Sequence, residues 1–237
     1  MFRGPSGAAA VPDAPIPRWS RWLGAVLTHA VWRTEIIGAE LVPGEGPVIL
    51  AANHLSVIDG PVLLGAAPRG TRVMVKKEMF TGVLGVILRR ADQIPVDREA
   101  GRAALAAALD VLRRGGVVGI FPEGNRGRGD ASSGRAGAAW LAVTSGAPVV
   151  PVAVLGTRRT GESVGHVPGL RRRLVVAFGE PITLARAPGV TGRESVSRGA
   201  EVLLGALADH VAAVSRRTGV ALPADDADRT TEGPVRR

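Results

Sequence analysis

Two kinds of apolar run alternate along this chain, and that alternation restricts its fold more than any other feature. PVILAAN, TRVMVKK, QIPV, GGVVGIF, PVVPVAVLG and RLVVAF are short, rich in Val and Ile, and mostly bounded by Gly or Pro, as strands are. Between them DGPVLLGAA, KEMFTGVLGVILRR, REAGRAALAAALDVLRR and SGRAGAAWLAVTSG have helical character. A last long helix is expected from about Arg193 to Arg217. Strand and helix in turn predict an α/β fold: a single domain with a mostly parallel mixed sheet covered by helices on both faces. A chain of 237 residues can bury a sizeable core in one such domain. Ligands of these sheets collect beyond the carboxyl ends of the strands.

The ends read differently. Residues 1–17 are rich in Pro, Gly and Ala and are expected to form a flexible arm, as is the polar tail 221–237. Residues 18–33 predict an N-terminal amphipathic helix, with Trp19, Trp22, Leu23, Val26, Leu27 and Ala30 recurring at steps of three and four. Arg18, Arg21 and Arg33 flank this face, which suits a helix lying in a membrane interface or one packed on its own domain. Arg21 and His29 interrupt it well short of the roughly 20 apolar residues of a membrane span. No secretory signal is expected, and the body of the domain is placed at 34–220.

The net charge of +9 attracts polyanions, either nucleic acid or an anionic bilayer. Four Trp, four Phe and no Tyr supply few platforms for stacking bases. The absence of cysteine excludes disulfides, thiolate zinc sites and a cysteine nucleophile.

Chemistry concentrates in four places. In AANHLSVIDGP, His54 follows an apolar strand and precedes Asp59 by five positions. On a regular helix these two residues would lie roughly 140° apart and could not meet. Pro61, tolerated only in a helix's first turn, puts the helix start near Asp59 and leaves NHLSVI as a turn that can fold the carboxylate onto the imidazole. That pair would make His54 a general base. Ser56-x-x-Asp59 equally fits a capping box, in which Asp59 serves only the helix.

In IPVDR, Arg98 can present its planar fork to a phosphate or pair with Asp97 or Glu99. In GIFPEGNRGRG, the glycines let backbone N–H groups approach an anion, and Arg126 and Arg128 add charge. Glu123 can accept a hydrogen bond from a substrate hydroxyl or pair with an arginine. The spacing matches neither a P-loop nor a dinucleotide fingerprint. Lys76 and Lys77 are the only lysines, in a chain that otherwise uses Arg. They suggest a site that wants a compact ammonium.

In this order the elements resemble the glycerolipid acyltransferase family that includes 1-acylglycerol-3-phosphate acyltransferases. Asn53–Asp59 is similar to its block Asn-His-x-Ser-x-x-Asp, Ile94–Arg98 to its second, Phe121–Arg126 to Phe-Pro-Glu-Gly-Thr-Arg, and Val150–Ala153 to its fourth. Asn125 stands where Thr is usual, and Gly127 where Ser is frequent, a departure that bears on the choice of acceptor.

The resemblance implies His54 and Asp59 as the catalytic pair, acting without an acyl-enzyme. It places Lys76 or Lys77, Arg98 and Arg126 on the acceptor phosphate, and Glu123 and Gly124 at the glycerol. The implied donor substrate is acyl-CoA or acyl-carrier protein and the acceptor a lysophospholipid, with no cofactor, no metal and no nucleic acid. Glycerol-3-phosphate or another lysolipid is the alternative acceptor. Because these substrates are lipids, peripheral binding at the cytoplasmic face of the cell membrane, on an anionic surface, is expected.

Overall fold

The computed structural model describes residues 19, 24, 26–97, 101–124, 128–131, 136–186 and 189–225. Seven strands form one sheet: β1 (Arg33–Ile37), β2 (Val48–Ala52), β3 (Thr71–Lys76), β4 (Ile94–Val96), β5 (Val117–Ile120), β6 (Val149–Leu155) and β7 (Arg173–Phe178). Their spatial order is β1-β7-β6-β2-β5-β3-β4, and every pairing is parallel except β6 with β7. Among the described residues these α-helices accompany them: α1 (Asp59–Ala66), α2 (Gly82–Arg90), α3 (Gly101–Arg113), α4 (Gly137–Ser145) and α5 (Gly192–Thr218).

Alternation along the strands divides the core into two layers, since successive side chains point to opposite faces. Val48, Leu50 and Ala52 of β2 join Val150, Val152 and Val154 of β6 under Val62, Leu63 and Ala66 of α1. Ile49 and Ala51 join Val118, Ile120 and Val149 under α3, α4 and Leu203 of α5. Further along α5, Leu207, Val211 and Val214 cover Ala153, Leu155, Val175 and Ala177. With both faces covered, the central strands are apolar throughout, as parallel strands must be. Thr191 caps α5 by accepting the Glu194 N–H at 3.2 Å, and Gly219 ends it in the left-handed conformation.

Two local expectations are corrected. Arg33, expected to end the first helix, instead opens strand β1, RTEII, held parallel to β7 from Arg33↔Arg173 to Ile37↔Ala177. The segment KEMFTGVLGVILRR is not one helix: a 3-10 turn at Lys77–Met79 gives way to α2 at Gly82, after an extended Thr81. A π-helical turn, Leu27–Val31, precedes β1, and Gly24 before it packs on the domain, one of the two placements the sequence left open. Gly24 and Gly65 make that contact: a Cβ on Gly24 would lie 2.8 Å from the Gly65 Cα. Trp32 is buried behind it, its indole N–H donating to the Pro168 carbonyl at 3.0 Å. The first residues of the tail also lie on the domain, where Asp225 pairs with the fully buried Arg158 at 3.1 Å. Among the described residues no helix is long and apolar enough to cross a membrane.

Chain direction at the sheet's centre places the site. After β2 the chain leaves through α1 toward β3, and after the adjacent β5 it leaves through α4 toward β6, on the other face. Neighbouring strands whose connections diverge open a crevice at their carboxyl ends. His54 and Glu123 stand on its two sides.

Candidate active site

At the end of β2 the main chain turns away from the sheet, and the Asn53 side chain continues the ladder in its place. Its amide donates to the Val154 carbonyl at 3.1 Å and accepts the Val154 N–H at 2.7 Å. Asn53 is fully buried, so these two bonds fix where the turn begins. The turn NHLSVI then closes on Asp59, the first residue of α1. Asp59 Oδ2 accepts from the Leu55 N–H at 2.6 Å, the Ser56 N–H at 2.7 Å and His54 Nδ1 at 2.8 Å. A carboxylate facing Nδ1 keeps the proton there and leaves Nε2 as the available base.

The two readings of Asp59 are therefore not exclusive. It ties the turn and it holds the imidazole, while the capping-box hydroxyl does something else: Ser56 Oγ donates to the His166 carbonyl at 3.3 Å. With the Val57 N–H donating to the Val164 carbonyl at 3.0 Å, this bond clamps the turn against the β6–β7 connection.

The opposite wall comes from the chain leaving β5. Phe121 stacks on the His54 ring, with centroids 4.2 Å apart and planes 19° from parallel. Glu123 Oε1 accepts the His54 backbone N–H at 3.3 Å. Gly129, at φ 66°, presses on Leu55 and Asn53; a Cβ there would stand 2.8 Å from Asn53 Nδ2, so glycine alone fits.

Burial pushes the Glu123 carboxyl up to about 8, and the nearby Asp130 and Asp59 add to this against hydrogen bonds from the His54 and Ala131 N–H groups. Glu123 is thus a neutral acid at pH 7, able to donate as well as accept. The folded protein holds a proton that the unfolded chain has lost above about 4.5. The contribution of this carboxyl to stability should therefore fall as pH rises from about 4.5 to about 8, with a slope of as much as ~1.4 kcal/mol per pH unit. Denaturant midpoints should decline more steeply across this range in the wild type than in Glu123→Gln, with half-buried His210, held below the usual imidazole range by desolvation, working in the opposite sense in both.

Between α1, α2 and the ends of β3 and β5 lies an apolar cavity of about 340 Å³ that reaches His54. Val57, Ile58, Leu64, Met79, Leu84 and Leu88 are among its walls, and Lys76 and Gly124 also border it. Lys77, by contrast, is exposed and paired with Asp97 at 3.0 Å. Arg98 and Arg126 lie outside the described residues. His54, Asp59, Glu123, Gly124 and Lys76 are thus brought to one crevice. Phe121 and Asn53, which frame the His54 imidazole, lie in the sequence blocks but carry no role in the sequence reading; their position flanking the two strand ends was the available signal.

The model of the acyltransferase family matches residues 33–155, just over half of the chain and all of this crevice as described. The chain belongs to the acyltransferase family. The resemblance drawn from its sequence blocks is thereby confirmed.

A 1-acyl-sn-glycerol-3-phosphate acyltransferase of Bacillus subtilis is 29% identical over 172 residues, 71% of this chain and 83% of that protein. A protein of the same name from Borreliella burgdorferi is 28% identical, over 58% of this chain and 55% of its own length. The human 1-acyl-sn-glycerol-3-phosphate acyltransferase beta is 30% identical, over 45% of this chain and 40% of its own. The crystal structure of a 1-acyl-sn-glycerophosphate acyltransferase from Thermotoga maritima superposes with a TM-score of 0.61 at 22% identity. It covers 81% of this acyltransferase and 78% of that chain, a likeness of fold.

Proposed function

We propose that this enzyme moves a fatty acyl group from an acyl thioester, acyl-CoA or acyl-carrier protein, to the sn-2 hydroxyl of 1-acylglycerol-3-phosphate, giving phosphatidic acid. The observation that carries the reading is an imidazole held by a buried carboxylate at the end of an apolar cavity. Apolar walls suit a hydrocarbon chain, each methylene of which gains about 0.8 kcal/mol on burial.

His54 Nε2 takes the proton of the acceptor hydroxyl while Asp59 supports the imidazolium. The oxygen attacks the thioester carbonyl, and the tetrahedral intermediate collapses by expelling the thiolate, which receives the proton from His54. No acyl-enzyme forms, in keeping with a chain that has no cysteine. Lys76, on the cavity wall, with Arg98 and Arg126, holds the acceptor phosphate. Lys77 contributes less while Asp97 engages it. Neutral Glu123 hydrogen-bonds the glycerol oxygens beside Gly124. The altered residues Asn125 and Gly127 make glycerol-3-phosphate or another lysolipid the second reading of the acceptor.

The test is a thiol-release assay crossing acyl-CoA and acyl-carrier-protein donors with a panel of lysolipids and glycerol-3-phosphate. Release dependent on lysophosphatidic acid is expected; release no faster than with water in every acceptor arm would end the proposal. Cavity shape offers a second check. Leu64→Trp fills part of the cavity and should lower kcat/KM for long acyl chains on the order of tenfold relative to short ones. Unchanged chain-length profiles in both donor and acceptor series would contradict the placement of the chain.

A further inference from the structure

Helix α2 is apolar, yet almost none of it is buried. Of its nine residues, GVLGVILRR, only Gly85 is buried within the domain. Val83, Leu84 and Val86 are 78%, 44% and 42% exposed. Short helices are held mainly by burial of an apolar face, so this one leaves its principal source of stabilisation unused in water. Grouped exposed apolar side chains of this kind mark a contact surface.

Two features indicate what covers it. Leu84 and Leu88 also line the cavity that reaches His54, so α2 is the wall between that cavity and the outside. Exposed Arg89 and Arg90 close the helix, and Glu78 is the acidic exception in the turn before it. Arg89 donates to the Phe80 carbonyl at 2.7 Å, which holds its guanidinium beside the helix's own start. An apolar helix face bordered by arginines, on a chain of net charge +9, complements an anionic bilayer surface. Valines then sit below the headgroups, and guanidinium groups stay among the phosphates.

We propose that α2 seats in the surface of an anionic lipid bilayer, with Val83 and Val86 among the acyl chains and Arg89 and Arg90 at the headgroups. A lipid chain then passes from the bilayer over Leu84 into the cavity without crossing water. This rests on the reading of the cavity as an acyl-chain site, and it assigns the membrane contact to α2.

The experiment is co-sedimentation of the full chain with vesicles of phosphatidylcholine alone and of phosphatidylcholine mixed with phosphatidylglycerol. Wild type should prefer the mixed vesicles. In Val83→Ser/Val86→Ser, neither position of which lines the cavity, partition should fall on the order of tenfold. Arg90→Gln should lose binding to the mixed vesicles only. The double variant should keep wild-type thiol release with a short-chain, soluble donor and acceptor, which shows it folded. If wild type itself released no thiol, the proposed reaction would fail while the vesicle result would still decide the docking surface. Unchanged partition of both variants overturns the docking proposal. So does a wild-type dimer that the serine substitutions dissociate without altering partition, because a second copy would then be the occupant.

Discussion

His54→Ala should lower kcat for thiol release by about 10³-fold, with KM for either substrate moving only a few-fold. General-base catalysis by a positioned imidazole is worth about 10²–10⁴-fold, and this ring is positioned on three sides. Asp59 holds Nδ1, Phe121 stacks on one face, and the main chain is fixed by Asn53 and by Glu123. Deleting the ring removes the proton acceptor but leaves the apolar cavity nearly intact, so binding should survive. Steady-state kinetics with both substrates varied, beside a thermal melt to confirm folding, makes the measurement. Activity at the wild-type rate in a folded His54→Ala protein would rule out the base assignment.

Asp59→Asn should cost about 10²-fold in kcat and, separately, about 1–3 kcal/mol of stability. The two losses have different origins. Three donors converge on Oδ2, so an asparagine must keep its oxygen there and put its NH₂ where Oδ1 was. That position is buried and has no hydrogen-bond partner among the described residues, so the new donor is left unsatisfied. The activity loss comes instead from the missing negative charge, since a neutral amide supports the imidazolium poorly. If Asp59 served only to tie the turn, the melting point would fall and kcat per folded molecule would not. Measuring both on one sample separates turn-tying from catalysis.

The sequence blocks and the structure divide the explanation of this site unevenly. Val and Ile runs ended by Gly or Pro identified six of seven strands, because parallel strands buried on both faces leave a continuous apolar signature. RTEII escaped notice because it pairs at the sheet's edge, with a half-exposed pattern too short to show alternation after a helical run. Pro61 located the start of α1 from a single backbone constraint, and with it the turn that lets His54 reach Asp59. That contact was legible because it is local, five residues apart and governed by where one helix begins.

Contacts between distant segments could not be read the same way. Nothing in the local chemistry of FPEG says that its strand, β5, lies next to β2; the crossover that inserts β5 between β2 and β3 does. From that adjacency follow the stacking of Phe121 on His54 and the burial that keeps Glu123 protonated near neutral pH. Strand order also separates two adjacent lysines, turning Lys76 to the cavity and Lys77 to Asp97 at the end of β4. By itself, then, the sequence determined the α/β class, the strand-end positions of its polar blocks and the contact of His54 with Asp59, all of which depend on backbone preferences over a few residues. Tertiary structure alone decided which strand ends share a crevice, how dry that crevice is, and which apolar helix stands between it and the outside, because these depend on contacts among segments far apart in the chain.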